Sequence, residues 1–481
     1  MTCFVENSPQ NMTVEQIYTG CLAQGAYYIE SEGEVAIIDP LREVQSYIAK
    51  AQRNNARIKY IFETHFHADF VSGHVELSQK TGAPIIYGPN AQPAFECIIA
   101  TDGQVFEVGK LKIKLLHTPG HTMESSCYLL FDEKGEEKYI FTGDTLFIGD
   151  VGRPDLAQKS SLTINDLAGY LYDSLRYKIM PLSDALIVYP AHGAGSACGK
   201  NMSKETFDTL GNQKRTNYAL RANMTKEEFV KEVTEGLLPP PYYFPKNVLL
   251  NKTGAPNLET VKRQAQPLSA EAFEAAANET GAVVIDTRPA QIFKNGFIPN
   301  AINIGIKGDF APWVGTLITD IEQEILFVAT PETIEEVITR LSRVGYDNII
   351  GYLEGGFEAW QAAGKEIDSI ESISAETFAE RFEKANGQLL VKDVRKQSEY
   401  VAEHVAEAMN IPLATLSENM VEFSKTETNY LHCAGGYRSM VAASILKSRG
   451  FDNIVDVAGG MAAIAQTTVP VTDFVCPSKL R

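Results

Sequence analysis

No apolar run in this 481-residue sequence approaches the length that spans a bilayer, so no membrane segment is expected. The opening stretch, MTCFVENSPQNMTVEQ, has neither a basic start nor an apolar core, and no secretory leader is expected. Cysteine is sparse. The seven thiols, at 3, 21, 97, 127, 198, 433 and 476, form no CxxC pair and no close-spaced framework. That pattern suits free thiols in a reducing compartment, and the cytoplasm is the expected location. Positive charge is also short: 43 Lys and Arg against 61 Asp and Glu leave a formal charge of −18. Phosphate backbones need a positive field, so nucleic acid is excluded as the expected partner.

Hydrophobic content of 44% and charged content of 22% are ordinary for a globular chain. The length exceeds one hydrophobic core and predicts about three domains. Up to about residue 240, short apolar runs alternate with helical stretches. EVAIIDP (34–40), KYIFETH (59–65), PIIYG (84–88), KYIFTGDT (138–145) and ALIVYPAH (185–192) have the pattern of buried strands. Several end in His, Asp or Gly, where sites collect in layered α/β folds. TINDLAGYLYDSLRYKI (163–179) carries helical spacing behind a cap residue.

LPPPYYFPKNVLLNKTGAPNL (238–258) is rich in proline, which predicts an extended connector packed on a domain surface. Beyond it the chain repeats. VIDTRPAQIFKNGFIPNAINI (284–304) matches VKDVRKQSEYVAEHVAEAMNI (391–411) at constant offset, pairing Asp286 with Asp393, Arg288 with Arg395 and Asn303 with Asn410. YDNIIGYLEGGFEAW (346–360) echoes FDNIVDVAGGMAAI (451–464). Each copy has the size of a small α/β domain with a mostly parallel sheet. The expected domains are 1–240, a connector at 241–264, and two copies at 265–368 and 369–481.

Four strand-end segments of the first domain carry metal-ligating residue types. They are THFHADFVSGH, with His65, His67 and Asp69; HTPGHT, with His117 and His121; TGDT, with Asp144; and YPAHGAGSACGK, with His192. Such residues on separate loops can converge on one cation. Together the segments resemble the metallo-β-lactamase superfamily, which implies an αββα sandwich over roughly residues 12 to 240. GDVGRPDL (149–156) further resembles the persulfide dioxygenases, which share the glyoxalase II scaffold. That resemblance implies one Fe(II) per chain, held by His65, His121 and Asp144. Two imidazoles and a carboxylate would leave an iron face open for substrate and dioxygen. A two-metal hydrolase needs a second cation held by Asp69, a donor at position 70 and His192, and position 70 is Phe70. His67, Asp69 and His192 are then expected to orient ligands or a bound water. His74 is expected at the surface or in packing, and His117 is expected to be structural. Arg153 is either a substrate-anchoring cation, as the resemblance implies, or the partner of Asp155. GAGSACGK departs from the aspartate-and-tyrosine version of glutathione-using glyoxalases, which leaves the thiol carrier open. Cys198 and Cys21 could accept sulfur, although a buried inert thiol is the commoner role.

YLHCAGGYRSMVAASILKSRGF (430–451) has the pattern strand, tight loop, helix. Its glycines let backbone N–H groups turn toward Cys433, and the helix N-terminus with Arg438 favours a thiolate or persulfide anion. With Asp393, Arg395, His404 and the Gly459-Gly460 turn, the segment resembles a rhodanese domain. Family roles would make Cys433 the sulfur carrier and Arg438 its electrostatic partner, with Gly435, Gly436 and Tyr437 lining the substrate loop. The first copy has no cysteine, since none lies between Cys198 and Cys433, and it is expected to be catalytically silent.

The combination resembles the persulfide dioxygenase–rhodanese fusion proteins. It implies oxidation of a low-molecular-weight thiol persulfide by O2 to sulfite, then sulfur transfer through Cys433 to sulfite, giving thiosulfate in sulfide detoxification. A homo-oligomer is expected. The alternative is a zinc-dependent, glyoxalase II-like thioester hydrolase fused to a sulfurtransferase.

Overall fold

A computed structural model describes residues 2–5, 12–158, 161–200 and 202–475; Cys476 lies outside them. The chain divides into two compact units, Met1–Thr260 with Leu341–Tyr346, and Val261–Arg340 with Asp347–Arg481.

In the N-terminal unit, the strand Glu34–Ile38 lies between Gln24–Ser31, antiparallel to it, and Arg57–Phe62, parallel to it. They belong to a seven-stranded sheet that also contains Thr13–Thr19 and Ile85–Tyr87. A six-stranded sheet holds Leu111–His117, Ser126–Phe131, Glu137–Gly143 and Ile187–Pro190. Tyr27, Ile29, Phe62 and Ile86 of the first sheet share one core with Ile113, Leu115, Tyr128 and Phe141 of the second. The outer face of the first sheet is closed by the helices Gln45–Arg53 and His74–Thr81 through Tyr47, Ala51 and Leu77. Leu171 and Phe229, on the helices Ile164–Ser174 and Lys226–Thr234, close the other side. This is the expected αββα sandwich. The predicted helix at 163 begins at a capping box: Thr163 accepts from the Asp166 N–H while the Asp166 carboxylate accepts from the Thr163 N–H.

The connector is not extended. It contains the helices Phe244–Thr253 and Leu258–Gln264. Pro245 sits in the first turn of the former, where a missing N–H leaves no intrahelical bond unmade, so proline permits the helix it would break further along.

In the second unit the two copies are superimposable in topology. Each has a five-stranded sheet, ordered Gln266–Leu268, Ile349–Leu353, Ile325–Val328, Val283–Asp286, Ile302–Asn303 in the first and Glu371–Ile373, Ile454–Val457, Asn429–His432, Leu390–Asp393, Met409–Asn410 in the second. Every strand pair in both sheets is parallel. The repeated polar residues make one motif twice. Asp286 and Asp393 each accept from the guanidinium two residues on, and Asn303 and Asn410 each donate to the carbonyls of that Asp and Arg. The motif ties two strand ends together in each copy. Among the described residues no helix is long and apolar enough to cross a membrane.

Candidate active sites

The sandwich brings His65, His121 and Asp144 together, all fully or almost fully buried, with ligand atoms within 4.8 Å of one another. Nε2 of His121 and of His65 lie 3.4 Å and 3.8 Å from Asp144 Oδ2. The outward nitrogen of each ring is engaged. His121 Nδ1 donates to the Arg153 carbonyl at 2.8 Å. His65 Nδ1 lies 3.0 Å from Thr64 Oγ1, which donates to Asp39 Oδ2 at 2.8 Å. These contacts set the tautomers, so both Nε2 lone pairs face Asp144. Neither oxygen of Asp144 has a hydrogen-bond partner, although both are buried. An unpaired buried carboxylate is costly, and two imidazole lone pairs beside it fit a bound divalent cation. Burial first, and then the neighbouring histidines, hold the His65 pKa well below its ordinary value, which favours a neutral imidazole there.

His67 is turned elsewhere. Its Nε2 is 3.1 Å from Asp39 Oδ1 and 3.4 Å from Glu63 Oε2, although neither contact is aligned as a hydrogen bond. Burial alone would lower its pKa, yet the two carboxylates outweigh burial and raise it well above the usual value. Burial pushes Glu63 up to about 7, with His67 opposing. Phe70, wholly buried, lays its ring on His67 at 4.3 Å between centroids. The aromatic residue therefore backs the histidine that Asp39 and Glu63 hold.

His192 and Asp69 lie on the far side of Asp144. His192 Nε2 is 3.3 Å from Asp69 Oδ2 and 3.4 Å from Asp144 Oδ1, and its Nδ1 is 3.3 Å from the Ala23 carbonyl. His67, Asp69 and His192 also fall within ligand distance of one another. His117 ends its strand with Nε2 at 2.9 Å from the Met123 carbonyl, and His74 is buried beside Glu63 and Phe95, both structural positions.

Of the two readings of Arg153, the structure contains the ion pair. Its guanidinium grips Asp155 through two contacts of 2.7 Å and donates to the Ala197 and Leu238 carbonyls. Cys198 is buried, with burial first and then the Asp69 and Asp144 carboxylates raising its pKa. Cys21 is half-buried, 3.3 Å from Arg343 Nη1.

Sequence reasoning missed Asn251. From the connector helix its Nδ2 donates to the His67 and Phe70 carbonyls at 2.8 Å each, and its Oδ1 accepts from Ser72 N at 2.8 Å. It closes the HxHxD loop from about 180 residues away, and nothing in the local sequence marks it. Asn251→Ala leaves those three buried groups without this partner and should cost about 1–3 kcal/mol in stability. A lowered chemical-denaturation midpoint, together with weaker retention of bound metal, is the expected result; an unchanged midpoint would refute the anchoring role. Asp39 and Glu63, by contrast, stood at strand ends like the residues that were recognised.

In the last domain, Cys433 follows the strand Asn429–His432 and is buried. Gly436 N–H donates to its Sγ at 3.0 Å, and Gly436, at φ 101°, caps the helix Tyr437–Ser448. The Cys433 carbonyl accepts from Met461 N at 2.7 Å; a Cβ on Gly460 would stand 2.3 Å from that oxygen, so the second turn must carry glycine there. Arg438 forms a two-pronged pair with Glu399 at 2.6 Å and 2.8 Å, a partner absent from the expectation. Gly435 is open to additional atoms. Tyr437 departs from its expected place in the substrate loop. Its hydroxyl donates to the Gly305 carbonyl at 3.0 Å, and a Cβ on Gly308 would meet its ring at 2.3 Å. The first rhodanese-like copy thus braces the residue that starts the helix after Cys433. In that copy Val328 pairs with Asp286 as His432 pairs with Asp393, which places Ala329 at the position of Cys433. Phe297 stacks on Phe293 where His404 stacks on Tyr400.

The metallo-β-lactamase superfamily model matches residues 19–192, and the rhodanese-like domain model matches 269–363 and 374–467. The cytoplasmic hydroxyacylglutathione hydrolase of Arabidopsis thaliana is 31% identical over 186 residues, 36% of this chain and 72% of that one. The chain belongs to the metallo-β-lactamase superfamily. The hydroxyacylglutathione hydrolase GloC of Haemophilus influenzae is 27% identical over 229 residues, 43% of this chain and 97% of that protein. A metallo-β-lactamase structure from Staphylococcus aureus subsp. aureus COL superposes with a TM-score of 0.63 at 30% identity, covering 71% of this chain and 99% of its own. The metallo-β-lactamase domain is therefore followed by two rhodanese-like domains, and the buried His and Asp groups are its metal-binding site.

Proposed function

We propose that the metallo-β-lactamase domain is a persulfide dioxygenase with one iron held by His65, His121 and Asp144, and that the last domain forms thiosulfate through Cys433. One observation carries the reading. Two imidazoles and one carboxylate face each other as a set, while Phe70 withholds a donor and Asp39 and Glu63 occupy His67. When bound, ferrous iron would supply an open coordination face for a persulfide sulfur and dioxygen. The residues around it fix ligand geometry: Arg153 through its carbonyl on His121, and Thr64 and Asp39 through His65. The balance is one persulfide, one dioxygen and one water giving one thiol, one sulfite and two protons.

In the second step the Cys433 thiolate attacks the sulfane sulfur of another persulfide. The new S–S bond forms as the old one breaks and the small thiol leaves as its thiolate. Sulfite then attacks the outer sulfur, thiosulfate departs, and the electron pair returns to Cys433, where the Gly436 N–H and the helix N-terminus stabilise the anion. Tethering the two sites raises the sulfite concentration at the second.

The names of the hydrolase relatives, and Asp69 and His192 beside Asp144, favour a second reading as a two-zinc thioester hydrolase. Anaerobic metal analysis followed by oxygen uptake with several persulfides separates the two. About one iron per chain with persulfide-dependent oxygen uptake is expected. About two zincs with thioester cleavage and no uptake would overturn the dioxygenase reading.

A further inference from the structure

We propose that Cys198 replaces the donor missing at position 70 and completes a second cation site with Asp69 and His192, sharing Asp144 with the first. Ligand atoms of Asp144, His192 and Cys198 lie within 4.8 Å of one another. Asp144 presents its two oxygens to two different groups: Oδ2 to His121 and His65, Oδ1 to His192. Asp69 Oδ2 stands 3.3 Å from the same His192 nitrogen. His192 Nε2, Asp69 Oδ1 and both Asp144 oxygens are buried without a hydrogen-bond partner. Buried nitrogen and oxygen atoms without partners, beside a buried thiol, are what a cation would satisfy.

The loop geometry brings the thiol in. The Cys198 carbonyl accepts from Arg153 N at 3.0 Å, and its N–H donates to Ser196 Oγ at 3.1 Å. Arg153 in turn holds His121, so one short segment braces a residue of each group. One sulfur, one nitrogen and one carboxylate oxygen, with Asp69 at the same nitrogen, make a mixed set that suits zinc or cobalt(II). Binding would expel the thiol proton, because the thiolate is the ligand. The site depends on no particular reaction at the first group.

The test is anaerobic titration of metal-free, full-length protein with cobalt(II), read by absorbance and by metal content. About two ions per chain are expected, the second bringing a thiolate-to-cobalt charge-transfer band in the near ultraviolet. Cys198→Ser should abolish the band and keep the first ion, whereas Cys433→Ser should keep the band. Asp69→Asn should weaken the second ion, which gives an independent variant if the serine protein folds poorly. A single ion, a second ion without the band, or a band that survives Cys198→Ser would overturn the proposal. Oxygen uptake plays no part in this readout, so its outcome is separate from that of the dioxygenase reading.

Discussion

Cys433→Ser is expected to stop thiosulfate formation, by at least about a thousandfold, while persulfide-dependent oxygen uptake continues and sulfite accumulates. The hydroxyl of serine stays protonated near neutral pH and cannot hold a sulfane sulfur in transit. The donated Gly436 N–H and the helix N-terminus would remain in place, so the loss would report the missing sulfur atom and not a collapsed loop. Thiosulfate and sulfite are measured together in one reaction mixture. Unchanged thiosulfate output would move the sulfur-carrying role to Cys198, Cys21 or solution chemistry.

His65→Ala has the opposite signature. It removes one of three ligands from a group that has none to spare, and replaces a ring fixed by Thr64 and Asp39 with a small cavity. Iron content should fall from about one per chain toward zero, and oxygen uptake at least about a hundredfold, since even partners that only orient a ligand contribute factors of ten to a hundred. Cyanide-accepting sulfurtransfer by Cys433 should be unaffected. If every persulfide-dependent activity survived in His65→Ala, the metallo-β-lactamase domain would be a scaffold for a sulfur-relay module, and the two-step mechanism would fail.

The layered fold was legible because its signals are local. Strand patterns such as EVAIIDP, the capped helix at 163 and the repeated Asp-x-Arg motif each depend on residues close in sequence. The metal-site residue types were legible for the same reason, each standing at the end of its own strand. Phe70 was visible as an absence of a donor, but its ring contact with His67 was not. The connector was misread because proline content was weighed without position: Pro245 starts a helix.

The sequence by itself determined which side chains can ligate, attack or carry charge, how the chain repeats, and that one rhodanese copy lacks a thiol. Tertiary structure alone decided the partnerships: Asn251 on the His67 and Phe70 carbonyls, Glu399 on Arg438, Gly305 on Tyr437, and Cys198 beside Asp144. The reason is physical. Residue chemistry and helix or strand periodicity are set within a few positions, whereas a buried polar group takes whichever partner the packed layers bring to it. No spacing along the chain encodes that choice.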